Sequence, residues 1–234
     1  MIAFNGDKDP TLRHAGVMAL LGSFTEKEIA KLHLQESEAI RHAAVIALRR
    51  LRSPEIINFI GDTNLAIADD VIRAINDEQI EAARSIVAAL LDDPRLGTAE
   101  RPLSRMIVRR ILASTSRLPQ EKNIKRLMLA AANKNLHLSE RLEAMHHLSH
   151  WTEPHPIDRS LGQHLPLKKR DRNTLQKQLT QNCHILTNGG EDILAEAMQL
   201  ASKHQIKTDA FDEQNLLRML RNTGTPEDLS LIHI

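Results

Sequence analysis

Ile40-Arg-His-Ala-Ala-Val-Ile-Ala-Leu-Arg-Arg-Leu51 is the stretch from which the fold is read. At helical spacing, Ile40, Ala43, Ala44, Ala47, Leu48 and Leu51 fall at i, i+3, i+4, i+7, i+8 and i+11, one broad apolar face. Val45 and Ile46 widen it, and Arg41, Arg49 and Arg50 are left to the remaining surface. Three alanines on such a face suit a helix lying close between two neighbours. The phrase recurs upstream as Leu12-Arg-His-Ala-Gly-Val-Met-Ala-Leu20, where seven of nine positions match in identity or type. Two such helices in one chain predict a repeat protein.

Composition supports a helical reading. Of 234 residues, 41% are hydrophobic, enough to build a core, but only 2% are aromatic, with no Tyr and one Trp. The core must be Leu, Ile and Ala, which suits close-packed helices and not a β-sandwich. A formal net charge of +1 supplies no global field for nucleic acid or anionic lipid. Cys183 is the only cysteine, so no internal disulfide forms. No apolar run reaches the roughly 20 residues of a membrane span. Met1 to Pro10 has neither the basic start nor the apolar stretch of a signal peptide.

Capping signals divide the chain. Asp9-Pro10 opens a first helix, which Gly22 closes. Thr25-Glu-Lys-Glu28 is a capping box for a short helix bearing Ile29, Leu32 and Leu34. Ser37 caps the helix quoted above. Ser53-Pro54 starts a very short helix ended by Gly61. Helices are then expected over 65–76, 78–91, 100–115, 119–132 and 138–151. Thr152 to Asp171 holds Pro154, Pro156, Gly162 and Pro166 and reads as a loose connection. Helices resume over 172–187, 191–204 and 211–221, with Asn188-Gly-Gly190 as a turn.

The equivalent apolar positions Leu20, Leu48, Ile75, Ile111 and Leu148 are separated by 28, 27, 36 and 37 residues. The HEAT period is about 40–47 residues, with two helices per repeat. The expected architecture is therefore all-α: a HEAT-type α-solenoid over residues 1–228, a right-handed superhelix of antiparallel helix pairs. It comprises five pairs and a half repeat at each end. The first helix would then expose Leu12, Val17 and Leu20, and such ends would favour self-association. Gly224-Thr-Pro-Glu-Asp228 carries the signals of a new helix, but Leu229 to Ile234 abandons the pattern. Those six residues resemble a translated sequencing-adapter end and are read as a non-native tail.

The Asp-Pro-x-Leu-Arg-His-Ala phrase, Val71-Ile-Arg-Ala-Ile-Asn-Asp77 and His150-Trp-Thr-Glu-Pro154 together resemble one family. It is the HEAT-repeat segment of large exported proteins described as membrane-bound dehydrogenases. In these a sugar-dehydrogenase β-propeller precedes the repeats and a c-type cytochrome domain follows. The resemblance spans roughly Asp9 to Asp228. It implies an exported, periplasmic spacer or docking module, with the chemistry elsewhere in a longer parent. A free-standing protein-interaction adaptor is the alternative. No functional residue carries over: haem attachment needs Cys-x-x-Cys-His, and Thr180-Gln-Asn-Cys183-His184 has Thr at the first position. No cofactor is expected, and the partner is protein.

Three clusters invite chemistry. His146 and His150 share a helix face at i, i+4, with His155 nearby in sequence as a possible third metal ligand. No Glu follows the first His, and twelve His in the chain make chance clusters common; an exposed or capping His patch is the preferred reading. Arg105, Arg109 and Arg110 with Lys122, Lys125 and Arg126 form a basic pair of helices, the candidate nucleic-acid surface. A HEAT-like DNA glycosylase would need aromatic groups and a carboxylate, for which Trp151 and Glu153 are available. Solvated helix faces account for most such basic runs, and for Lys168-Lys-Arg170 in the loose connection. Cys183 reads as a small buried hydrophobe beside Ile185 and Leu186. No phosphate loop or nucleophile elbow occurs, so no catalytic residue is assigned.

Overall fold

The structure, a computed structural model, describes residues 2–6, 8–100 and 102–206. The predicted helix over 211–221, the signals at 224–228 and the tail at 229–234 lie outside the described residues. What is described is all-α apart from one two-stranded hairpin. It divides into two compact units. The first is the chain up to Leu118 with His155–Leu167; the second is Pro119–Pro154 with the chain from Lys168 onward.

In the first unit the helices are α1 (Ile2–Asn5), α2 (Pro10–Ser23), α3 (Glu26–Ala30), α4 (Glu38–Leu51), α5 (Leu65–Asp77), α6 (Arg84–Ala89) and α7 (Arg105–Arg117). Short 3-10 segments at Lys31–Leu34, Pro54–Phe59, Glu81–Ala83 and Leu90–Asp92 connect them. The long helices α2, α4, α5 and α7 touch in sequence, each packing on the next. The short elements α3, Pro54–Phe59 and Glu81–Ala83 touch one another in a second row. In the second unit α8 (Glu121–Ala132) packs on α9 (Leu138–Ser149) and α10 (Arg172–Asn182), and α9 packs on α11 (Glu191–His204).

The caps follow the local chemistry. The Asp9 carboxylate accepts from the N–H groups of Thr11 and Leu12, with Pro10 at the first helical position. Thr25 and Glu28 close the capping box in both directions. Ser37 precedes α4 but its side chain makes no cap bond. Gly22 lies inside α2, which runs one residue further and ends at extended Phe24.

The apolar register is buried throughout: Leu20 is 7% exposed, and Leu48, Ile75, Ile111 and Leu148 are all fully buried. Ala44, Ala47 and Ala144 are also fully buried. A side chain of no more than one methyl lets adjacent helices approach closely at these points.

Several expectations need correction. Residues 78–91 are not one helix: Gln79 adopts φ 55°, a left-handed turn that breaks the ladder before α6. Residues 100 and 102–104 are not helical; Ser104 caps α7, accepting from the Ile107 N–H. Thr187 belongs to a 3-10 segment, Cys183–Gly189, and not to α10. Arg41 does not sit on an outer surface but is 8% exposed. The first long helix does have a predecessor, since Ile2 of α1 packs against Gly16, where a Cβ would collide with the Ile2 side chain. Accordingly Val17 is 1% exposed and Leu20 is covered, while Leu12 remains 41% exposed.

The loose connection contains a hairpin. Ile157–Asp158 pairs antiparallel with Gln163–His164, and Gly162 turns it at φ 67°. The Asp158 carboxylate accepts from the Ser160 N–H and hydroxyl and the Leu161 N–H, which builds the turn locally.

Candidate functional site

The chemistry of the first unit lies in charged pairs that cross between the long helices. Nε2 of His42 on α4 lies 2.9 Å from Oδ2 of Asp70 on α5. One helical end further on, Arg49 donates to Glu78 at 3.0 Å, and Arg52 lies 3.8 Å from the same carboxylate. Arg73 braces Asp70 from its own helix at 3.0 Å. On the other side of α5, Asp77 receives Arg110 of α7 in two parallel bonds of 2.8 and 3.0 Å. The partners stand 28, 29 and 33 residues apart, so each pair joins positions roughly one repeat apart in sequence.

These pairs perturb titration unevenly. The His42 hydrogen bond, against some burial and aided by the charges of His42, Arg73 and Arg49, holds the Asp70 carboxyl below its ordinary value. Its neighbour Asp69 is shifted the other way, because burial outweighs the attraction of Arg73 and Asp70 adds repulsion.

Arg41 is a second organising group. Its Nε and Nη2 donate to Asp62 at 2.7 and 3.0 Å, while Nη1 donates to the Gln35 and Glu36 carbonyls at 2.9 and 2.8 Å. It therefore ties the loop before α4 to the loop before α5. Burial raises the Asp62 carboxyl, but the bonds from Arg41 and the Asn64 N–H outweigh it and leave it lowered.

A third polar group lies within the packing of α5 and α7. Asn76 is fully buried; its amide donates to Ser160 in the hairpin at 3.0 Å and accepts from Ser114 of α7 at 3.1 Å. Arg117 reaches Asp158 at 3.5 Å and the Leu165 carbonyl at 3.4 Å. Fully buried Arg84 donates to Glu81 and Gln79. Burial and the charge of Arg84 pull the Arg117 guanidinium down from its usual range, against Asp158 and Glu81. These bonds fasten the hairpin over α5 and α7, a structural task.

The residues singled out from sequence fall as follows. His146 and His150 stack at 4.2 Å between ring centroids, and Nδ1 of His150 faces the His146 carbonyl at 3.0 Å, as a helix end is capped. His155 belongs to the first unit and bonds within its own loop, at the N–H and carbonyl of Ile157. Among the described residues, no group of three or more His, Cys, Asp or Glu is arranged to hold a metal ion.

Arg105, Arg109 and Arg110 are on α7 of the first unit, whereas Lys122, Lys125 and Arg126 are on α8 of the second. Arg110 is engaged with Asp77, and Arg126 is 7% exposed with Nη1 on Asn123. Arg105, Arg109, Lys122 and Lys125 are exposed. Trp151 is 1% exposed, with the Arg170 guanidinium 4.2 Å above its ring. Glu153 pairs with Lys169 at 2.7 Å. Cys183 is buried, with Sγ on the Thr180 carbonyl at 3.9 Å, and His184 points to solvent.

Sequence reading missed the crossing pairs. The only signal was the recurrence of charge at near-repeat spacing, His42 to Asp70 and Arg49 to Glu78, which singles out no pair until helix packing is known. No family model, curated protein or solved structure matches the chain. No helix is long and apolar enough among the described residues to cross a membrane.

Proposed function

We propose that the chain is a HEAT-type α-solenoid segment acting as a non-catalytic spacer and docking module in a larger exported redox protein. The observation that carries the reading is the row of long helices α2, α4, α5 and α7, each packed on the next, with charged pairs bridging α4 to α5 and α5 to α7 between partners 28 to 33 residues apart. A repeated row of helices presents an extended surface, which is how solenoids bind partners. Three of its arginines are engaged in structural ion pairs: Arg41 with Asp62, Arg110 with Asp77, Arg117 with Asp158.

A DNA glycosylase needs an accessible aromatic side chain to stack on an extruded base. Trp151 is buried beneath Arg170, and the carboxylate of Glu153 is held by Lys169. Both observations favour the docking reading.

Sequencing the DNA that flanks the coding segment tests the parent. A β-propeller encoded upstream and a Cys-x-x-Cys-His motif downstream are the expected result. An initiator and a stop codon immediately bounding the segment would replace the spacer with the free-standing adaptor.

A further inference from the structure

Two guanidiniums in the first unit are buried with donors left over. Arg84 opens α6 and Arg117 closes α7, and these two helices pack on each other. Arg84 is fully buried, and the Arg117 side chain is 12% exposed. Nη1 of Arg84 and Nε of Arg117 are both shut off from solvent and find no acceptor among the described residues. A buried N–H without an acceptor forfeits its hydration, and the loss is larger on a charged group than on a neutral one.

The acceptors that these arginines do use are already committed. Both Glu81 oxygens accept from Arg84, at 3.0 and 2.8 Å, and the Gln79 side-chain oxygen accepts from its Nη2 at 3.0 Å. Oδ1 of Asp158 accepts from the Ser160 hydroxyl and from the Ser160 and Leu161 N–H groups. Its Oδ2 lies 3.5 Å from Nη1 of Arg117, and the Leu165 carbonyl lies 3.4 Å from the same nitrogen. Neither contact uses Nε. Negative charge is short as well. Glu81 and Asp158 formally balance the two cations, but the Glu81 side chain is 64% exposed and water screens it. Burial, and then the charge of Arg84, pull the Arg117 guanidinium below its usual range; Asp158 and Glu81 do not make up the difference. A water molecule would supply the missing acceptor but no charge. An anion supplies both.

We infer that Nη1 of Arg84 and Nε of Arg117 hold a small monovalent anion of the halide class, chloride in physiological media. Two leftover donors on two residues suit a monatomic ion, which accepts from any direction. A phosphate or sulfate brings several oxygens, and two donor groups would leave most of them buried without a partner. Arg117 also reaches Asp158 and Leu165, so the ion helps to fasten the hairpin to α6 and α7. The site belongs to the first unit by itself and stands apart from the spacer reading.

Two measurements on the full chain test it. The first follows the thermal midpoint as chloride replaces gluconate at constant ionic strength, which holds general screening fixed. The midpoint is expected to rise saturably, by about 2–4 °C, as it does for a ligand that binds only the folded state. Arg117→Met removes the Nε donor and should abolish the saturable rise. Lys122→Met makes the same change in net charge at an exposed position on the second unit and should keep it.

The second measurement needs no variant, and it decides the matter if Arg117→Met does not fold. The chain is crystallised with bromide as the probe, and an anomalous peak is expected within about 3.5 Å of both nitrogens. A midpoint that ignores which anion is present, a rise undiminished in Arg117→Met, or a water in place of bromide between the two nitrogens would overturn the site.

Discussion

His42 and Asp70 meet across two helices, 28 residues apart in sequence, with Nε2 and Oδ2 separated by 2.9 Å. The neighbouring carboxylate, Asp69, is disfavoured by burial. Two consecutive acids on α5 thus contribute to stability with opposite signs.

The pH dependence follows. The folded Asp70 lies below the ordinary 3.8, so its contribution is present above about pH 4 and is lost as pH falls through the folded value. The folded Asp69 lies above 3.8, so its cost sets in as pH rises from there through the folded value. Asp70→Asn should lower the unfolding free energy read from urea denaturation at pH 7 by on the order of 1 kcal/mol or less, and Asp69→Asn should raise it. Both differences should shrink at pH 3. The same sign for both variants at pH 7 would contradict the assignment.

Enlarging Ala47 to Leu should cost about 1–3 kcal/mol, because Ala47 is fully buried and added methylenes overpack a close-packed interior. Thermal denaturation reads the loss. A neutral effect would mean that α4 is not held closely by its neighbours.

Arg41→Ala should be severely destabilising, about 3–5 kcal/mol, since Asp62 would be left buried with its charge uncompensated. Arg41→Lys should recover little: one ammonium cannot reproduce two parallel bonds to Asp62 together with two to backbone carbonyls. Equilibrium unfolding of the two variants checks the comparison.

Arg52 and Gln79 both hold left-handed backbone, at φ 51° and 55°. Arg52→Gly should stabilise by up to about 1 kcal/mol, because glycine relieves the strain and the Arg52 side chain is 71% exposed. Gln79→Gly should instead destabilise. Its amide donates to the Asn76 carbonyl at 2.6 Å and its oxygen accepts from buried Arg84, whose Nη1 finds no acceptor among the described residues. Opposite shifts of the thermal midpoint are expected from the same substitution at the same backbone geometry.

Chelator should leave the melting curve unchanged. His150 directs Nδ1 at a backbone carbonyl, and a structural zinc would contribute to folding directly. Loss of helicity on adding chelator would make His146, His150 and His155 the first residues to replace.

Much of the helical content was legible because its signals are local. Asp9, Thr25 and Ser53 act within three residues of where they stand, and the apolar register from Leu20 to Leu148 needs only the helical period. The break at Gln79 was not legible, since no Gly or Pro marks it and its support comes from Arg84. The hairpin at 157–164 was hidden in a segment whose prolines suggested only irregular chain. Arg41 resembled a surface charge until Asp62, 21 residues on, was brought to it.

Trp151 gives the chain an optical asymmetry. It is the only tryptophan, there is no tyrosine, and it belongs to the second unit. Excitation at its absorption edge therefore reports that unit alone, while far-ultraviolet circular dichroism reports the helices of both. Withdrawal of Arg170 from the ring face would alter the emission before the indole meets water. If fluorescence and dichroism unfold along one curve, the two units melt as a single cooperative body. If the curves separate, the gap measures how independently the units fold, with no label attached.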